Sequence, residues 1–461
     1  MTHIHLIGIG GTGLSAIARV LLEMGHTVSG SDRAESSFTR DLQAAGATIS
    51  IGHRPENVRD ADLVVRSSAI QDDNPEVTAA RAFRIPVLKR FDFLSSLMDG
   101  RTSIAIAGTH GKTTTSSMIA WMLSAMGQDP SFIIGGVNLN LGVNARAGNG
   151  KTFIIEADEY DRMFLGLKPI IEVITSIEHD HPDCYPTPAD YQAAFVEFMY
   201  LIPPKGTLVA CADDPGARDL MEKAKKLGKT ILSYGLTTDA NGQHESDVFG
   251  SELAPNDKGG FTFKAFVRGE TTLVNLQVPG KHNVSNALAA LSVTCLLGLP
   301  LTDASKALEK FAGTGRRFEI RGESNGITII DDYAHHPTEI RATLAAARSL
   351  YPSRRIWALW QPHTYSRTQV LLNEFAHSFA DADEVIVTDI YAAREPKTDF
   401  SSKAVAASMP RPAHFIPGLS EASSYLIKNL HPGDVLLVLS AGDADQISLE
   451  VWSHLKEDRN A

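Results

Sequence analysis

The run Gly108-Thr109-His110-Gly111-Lys112-Thr113-Thr114-Thr115, set directly behind the apolar segment Ser103-Ile104-Ala105-Ile106-Ala107, leaves this chain few folds to choose from. Five apolar or small residues in a row read as a buried strand, and the pattern beginning at about Ser116 (Ser-Met-Ile-Ala-Trp-Met-Leu) reads as the helix that follows it. Between them stand two glycines, a lysine and hydroxyl residues. That order turns backbone N–H groups and a helix N-terminus toward an anion, with Lys112 to neutralise charge and the Thr113 hydroxyl within reach of Mg²⁺. The spacing G-x-x-x-x-G-K-[ST] would require a glycine where Ile106 stands, so the turn is a shortened one. An ordinary strand-to-helix turn with an exposed lysine is the plainer alternative, and the complete order of parts speaks against it.

A second glycine motif comes earlier. The strand-like His3-Ile4-His5-Leu6-Ile7-Gly8-Ile9 runs into Gly10-Gly11-Thr12-Gly13 and then into a helical pattern, Leu14 to Leu22. Gly8-x-Gly10-x-x-Gly13 fits G-x-G-x-x-G, and Asp32 closes the next strand (His26-Thr27-Val28-Ser29-Gly30) about 20 residues on. This licenses a diphosphate at a helix N-terminus without specifying a nicotinamide ring. Two phosphorylated ligands are therefore expected, and a nicotinamide-dependent dehydrogenase would explain only the first motif.

A chain of 461 residues exceeds one ordinary core. The repeated alternation of strand and helix patterns predicts an α/β protein of three domains: a Rossmann-like domain at 1–98, a central P-loop-type ATPase domain at 99–316 with a β-rich insertion at about 230–280, and a Rossmann-like α/β domain at 317–461. Helices are expected at His282–Leu297, Pro337–Leu350 and Thr368–Phe379 among others. A net charge of −11 argues against nucleic acid or a membrane surface as partner. Any anionic ligand must then meet local cations. Three cysteines in no metal-like spacing, no signal-peptide pattern at the N-terminus and no membrane-length apolar run suggest a cytoplasmic protein, expected as a monomer or weak homodimer.

The remaining chemistry sits where strands end. Glu156 follows Thr152-Phe153-Ile154-Ile155, and His181 closes Ser176-Ile177-Glu178-His179-Asp180-His181; with Thr113 they could ligate Mg²⁺, although His181 could equally be a hydrogen-bonded strand-end residue. Asn283 and Asn286 share a helix face and could pair with a base edge, or Asn283 could simply cap its helix. Arg316-Arg317 lies at a domain junction, from which an arginine can reach a transferring phosphoryl group. Asp331-Asp332-Tyr333-Ala334-His335-His336-Pro337-Thr338 and Gln361-Pro362-His363-Thr364-Tyr365-Ser366-Arg367-Thr368 place His, Tyr and Arg at neighbouring strand ends. There Arg367 could grip a carboxylate, and His335 and His363 could orient an amine or bond a phosphate.

In their order these motifs resemble the Mur ligase family over essentially the whole chain: Gly-Thr-His-Gly-Lys-Thr-Thr, Glu156-Ala-Asp-Glu, Asp180-His181, Gly280-Lys-His-Asn-Val-Ser-Asn286 and Arg-Arg-Phe-Glu at 316–319. The resemblance implies an ATP-dependent carbon–nitrogen ligase that joins the lactyl carboxylate of UDP-N-acetylmuramate to L-alanine through an acyl phosphate. It implies that Lys112, Glu156, His181 and Arg317 serve catalysis, and that Thr113, Glu156 and His181 hold Mg²⁺. ATP would lie on Gly108, Thr109, His110, Gly111, Lys112, Thr113, Thr114, His282, Asn283, Asn286, Arg317 and Asp332. The UDP-sugar would lie on Gly10, Gly11, Gly13, Ser15, Asp32, Ser67, Ser68, Ala69 and Ile70. Tyr333, His335, His363 and Arg367 would face the amino acid. One residue departs from the alanine-adding pattern. Tyr160 stands where serine is expected and is more like members that attach a ready-made murein tripeptide, whereas His363-x-Tyr365-x-Arg367-Thr368, where the amine should bind, favours L-alanine.

Overall fold

The structure, a computed structural model, describes residues 1–238 and 246–457. Three sheets divide it. The first has five strands in the order Thr48–Ile51, Thr27–Asp32, His3–Ile7, Leu63–Arg66, Val87–Lys89, all parallel. The strand order reverses beside His3–Ile7, and at the carboxyl end of that strand the Gly8–Gly11 turn leads into the helix Thr12–Glu23; such a switch point is where open α/β sheets bind their ligands.

The central sheet has ten strands, with Thr102–Ala107 between Ile171–Ile174 and Thr152–Glu156 and parallel to both. Ser103 to Ala107 are all buried, so the run shows no polar alternation and reads as a strand covered on both faces. The β-rich region expected near 230–280 is present as Thr230–Gly235, Val248–Pro255, Phe261–Val267 and Glu270–Asn275. It lengthens the central sheet rather than forming a separate unit; residues 239–245 of it lie outside the described residues.

In the third sheet the antiparallel strand Glu319–Ser324 edges five parallel strands: Ile327–Asp332, Val435–Ser440, Ile356–Gln361, Glu384–Val387 and His414–Phe415. The helix expected at Pro337–Leu350 has those bounds, started by a capping box in which Glu339 returns to the His336 backbone. The helix expected at Thr368–Phe379 is instead two short ones, Tyr365–Val370 and Leu372–Ala376, broken at Leu371. No helix among the described residues is long and apolar enough to cross a membrane.

The joints between sheets differ in kind. Leu14, Ile17 and Leu21 from the first unit share one apolar cluster with Ala145, Phe153 and Ile155 of the central one. The third sheet has its own clusters on its two faces. It shares no such cluster with the central unit and meets it through polar pairs such as Arg367–Asp180, His110–Glu339 and Thr338–Glu178.

Candidate active site

Gly108 and Gly111 shape the loop after Thr102–Ala107. Gly108 has φ +132°, and a Cβ there would lie 2.2 Å from Thr175 Oγ1 and 2.8 Å from the Ser176 carbonyl. Gly111, at φ +79°, makes the left-handed turn that starts the helix Lys112–Ala125 with no side-chain cap, so its first amides remain available to a ligand. The helix thus begins four residues before the expected Ser116. Three consecutive threonines are poor helix formers and hid its first turn.

Lys112 Nζ donates to the Gly108 carbonyl (2.5 Å), the Thr109 carbonyl (3.3 Å) and Glu159 Oε1 (2.8 Å). Glu159 is only 1% exposed and also accepts the Tyr191 hydroxyl at 3.2 Å, while its Oε2 has no partner among the described residues. Burial works against the charge of Lys112, but Glu159 outweighs it and holds the ammonium pKa above its ordinary value. Thr113 donates to Glu156 Oε1 at 3.0 Å, and Gly135 N–H donates to Oε2 at 2.6 Å. Burial pushes the Glu156 carboxyl upward despite the pull of Lys112. Two hard oxygen donors side by side, in a pocket where Glu156, Asp158 and Glu159 share one lysine and a carboxylate oxygen goes unpaired, fit a small divalent cation. His181, in a left-handed conformation, lies with Nε2 3.7 Å from both Glu159 Oε1 and Asp180 Oδ2.

Two cross-domain clusters close the cleft. In one, Arg367 (2% exposed) donates from Nε to Asp180 Oδ1 at 2.8 Å, and its other nitrogens face His363 Nδ1 (3.0 Å) and His181 Nδ1 (3.4 Å). The carboxylate that Arg367 grips is therefore one of the protein's own. In the other, His110 Nε2 lies 2.8 Å from Glu178 Oε2 and its Nδ1 3.2 Å from Glu339 Oε1, with the His336 ring 4.8 Å away. Thr338 donates to Glu178 Oε1 at 2.9 Å, and Arg317 lies 3.9 Å from Glu339. Burial alone would lower the His110 pKa. Glu178 and then Glu339 reverse that and raise it from 6.5 to about 9.

A histidine raised on folding contributes stability in full below its unfolded pKa and loses it as pH rises through the folded one. The thermal midpoint of the wild type should therefore exceed that of His110→Gln most at pH 6, and the gap should shrink toward pH 9.5. Glu178 and Glu339, both held low, stay ionised across that window. A gap that stays constant with pH would contradict a charged His110.

The other expected residues are distributed around the same cleft. Asp332 is buried, with its oxygens taken by the Phe318 and Ala334 amides at 2.7 Å each, and burial pushes its carboxyl up to about 6. Tyr333 lies beneath the Arg316 and Arg317 guanidinium groups, and the His335 ring meets the Tyr333 and His363 rings. Asn286 donates to Asn283 Oδ1 (3.0 Å) and accepts from Thr115 (3.2 Å), and Asn283 donates to the Pro279 carbonyl (2.7 Å). The paired amides therefore brace the phosphate loop, and Gly280 rather than Asn283 takes the cap position of that helix, Lys281–Leu296. His282 is exposed beside them.

In the first unit Asp32 accepts the Gly10 amide at 2.8 Å, Ser15 turns its hydroxyl back to the Thr12 carbonyl, and Ser67 and Ile70 pack where a Cβ on Gly8 would go. Gly11 caps the helix Thr12–Glu23 without a side chain. Ser68 and Ala69 follow in the turn after Leu63–Arg66. A Cβ on Gly13 would sit 1.8 Å from an Arg90 guanidinium nitrogen. Sequence reasoning missed Arg90, because nothing in its neighbourhood announces a loop partner 77 residues away. It also missed Glu339, although its place three residues beyond a helix cap is a capping-box signal, and it gave no role to Glu159 or Asp180.

Three family descriptions match this chain: Mur ligase family, catalytic domain, over residues 3–102; Mur ligase middle domain over 106–294; and Mur ligase, glutamate ligase domain over 316–442. The chain is 44% identical over 450 residues to the UDP-N-acetylmuramate–L-alanine ligase of Nitratidesulfovibrio vulgaris, covering 96% of this chain and 97% of that one. It is 42% identical over 462 residues to the enzyme of the same name from Syntrophus aciditrophicus, covering 99% and 94%. Among solved structures, UDP-N-acetylmuramate–alanine ligase from Thermotoga maritima superposes with TM-score 0.81 at 29% identity, over 99% of this chain and 100% of that one. A murein peptide ligase from Psychrobacter arcticus gives 0.72 at 27% identity, over 99% of each.

Proposed function

The chain belongs to the Mur ligase family, and from that premise we propose that it forms the amide between the lactyl carboxylate of UDP-N-acetylmuramate and the amine of L-alanine, using ATP, in peptidoglycan precursor synthesis. The observation that carries this reading is 42–44% identity over nearly the full length to ligases of that name. Residues 1–98 would hold the UDP-sugar, 99–316 ATP and 317–461 the amino acid, in the cytoplasm where both nucleotides are found.

A lactyl carboxylate oxygen attacks the γ-phosphorus of ATP, the bond to the β-bridging oxygen breaks, and ADP leaves. The neutral amine of L-alanine then attacks the acyl phosphate carbonyl, and the tetrahedral intermediate loses a proton from nitrogen to solvent and expels phosphate. Charge builds up on the transferring phosphoryl group, so positioned cations and amides lower the barrier. Lys112 Nζ, fixed by two carbonyls and Glu159, supplies one positive charge, and the uncapped amides at Lys112–Thr114 supply dipoles. Arg317 lies beside Glu339, which itself meets His110 of the central loop, and would reach the γ-phosphate with the third unit docked. Thr113 and Glu156, which touch each other, and His181, 3.7 Å from Glu159, would hold Mg²⁺; the ion would supply Lewis-acid neutralisation of phosphate charge.

Phosphate release with ATP, Mg²⁺ and UDP-N-acetylmuramate tests the reading, comparing L-alanine, glycine, L-serine and the murein tripeptide. L-Alanine should give the highest kcat/KM. Turnover with the tripeptide alone would transfer the protein to the second reading, which Tyr160 favours.

A further inference from the structure

An amino acid offers the enzyme an amine and, next to it, a carboxylate. To capture that carboxylate, a protein of net charge −11 needs a cation whose donors are free. The cations already identified in the cleft are committed. Arg367 is buried against Asp180, His363 and His181, and Lys112 is fixed by Glu159 and two carbonyls. Arg316 donates to the Ser440 carbonyl and lies 3.5 Å from Asp445, while Arg317, 3.9 Å from Glu339, is the residue assigned to the γ-phosphate.

Arg394 is different. Its guanidinium makes no hydrogen bond to any described residue, its nearest carboxylate is Asp183 at 3.6 Å, and half of the side chain is exposed. It is nonetheless held in place. Its Cζ lies 3.5 Å from the centroid of the Tyr160 ring. Tyr160 is itself fixed by donating its hydroxyl to Asp183 Oδ2 at 3.1 Å, and its ring meets the His181 ring at 5.1 Å. On the other side of the cleft, the segment carrying Arg394 is tied to the His363–Arg367 segment. The Tyr391 ring stacks on His363 at 5.8 Å, and the Glu395 carboxylate accepts the Tyr365 amide at 2.6 Å and the Ser366 amide at 3.1 Å. The result is a guanidinium with no hydrogen bond to a described residue, paired to Asp183 only at 3.6 Å and held over the Tyr160 ring, where the segments carrying His181 and His363 meet.

We propose that Arg394 is the receptor for the α-carboxylate of the incoming amino acid, and that Tyr160 is the positioning residue that sets the plane of its fork. Tyr160 and Asp183 come from the central unit and Arg394 from the third, so the receptor is complete only when the two are docked. A substrate carboxylate in bidentate contact displaces the loose 3.6 Å approach of Asp183. This also gives a role to the tyrosine that departs from the alanine-adding pattern.

The inference rests on L-alanine being the acceptor, and the experiment separates the two. Initial rates are measured with L-alanine and with L-alaninamide, which keeps the amine and lacks the carboxylate, for the wild type and for Arg394→Ala, Arg394→Lys, Tyr160→Ala and Tyr160→Phe. Arg394→Ala should lower kcat/KM for L-alanine about 10- to 100-fold, mostly through KM, and leave L-alaninamide unchanged. Arg394→Lys should recover part of the loss, and Tyr160→Phe, which keeps the ring but loses the bond to Asp183, should fall between the wild type and Tyr160→Ala. Tyr160→Ala should raise KM for L-alanine without changing KM for ATP or UDP-N-acetylmuramate. Equal losses for the two acceptors in Arg394→Ala, or no loss for either, would overturn the assignment. Failure of the wild type to use L-alanine at all would overturn the functional reading instead.

Discussion

Replacing Lys112 by alanine is expected to reduce phosphate release by about 10³-fold or more, while the affinity for UDP-N-acetylmuramate stays within about twofold. The lysine is the ammonium at the phosphate loop, and its position is fixed by three acceptors. The UDP-sugar is assigned to a different sheet, so its binding does not depend on this charge. The same change leaves Glu159, 1% exposed, without its cation. Removing one partner of a buried pair costs about 3–5 kcal/mol, so the thermal midpoint should fall as well. The double variant Lys112→Met with Glu159→Gln removes both charges and should recover most of that stability without recovering turnover. Calorimetric titration with UDP-N-acetylmuramate establishes that each variant is folded. Turnover of the single variant within tenfold of wild type would end the role given to Lys112.

The second large effect concerns docking of the third unit. Asp180 and Arg367 are 4% and 2% exposed and lie on opposite sides of the cleft. The first and central units share an apolar cluster, but the third meets the central one through polar contacts, so breaking this pair weakens closure directly. Arg367→Met should lower kcat by about 10²- to 10³-fold, the equivalent of about 3–4 kcal/mol lost from the docked state, because it strands a buried carboxylate. Small-angle scattering of this variant with ATP and UDP-N-acetylmuramate should give a larger radius of gyration than the wild type. Adding Asp180→Asn removes the stranded charge and should restore part of the compaction. If the single variant is as compact as wild type and as active, the pair does not govern closure.

Much of the fold could be read from the chain because its signals are local. The apolar run at Ser103–Ala107, the paired glycine motifs and the boundaries of Pro337–Leu350 depend on neighbours within a few residues. The first turn of the Lys112 helix was obscured because threonine propensity opposes a conformation that Gly111 imposes. The break at Leu371 was not visible because the apolar period continues through it.

By itself the sequence determined the α/β alternation, the phosphate loop, the family and the residue types that gather at the strand ends. It could not say which of those residues are free to act. Arg367 looks like a carboxylate receptor until Asp180, 187 positions away, is found bound to it. Asn283 and Asn286 look like base readers until they are found bonded to each other and to Thr115. Arg394 carries no motif at all, and the structure sets it over the Tyr160 ring, half exposed, with Asp183 no nearer than 3.6 Å. A charged or amide group acts on a substrate only with the hydrogen-bonding capacity its neighbours leave it, and those neighbours are chosen by the packing of distant segments. That choice belongs to the tertiary structure.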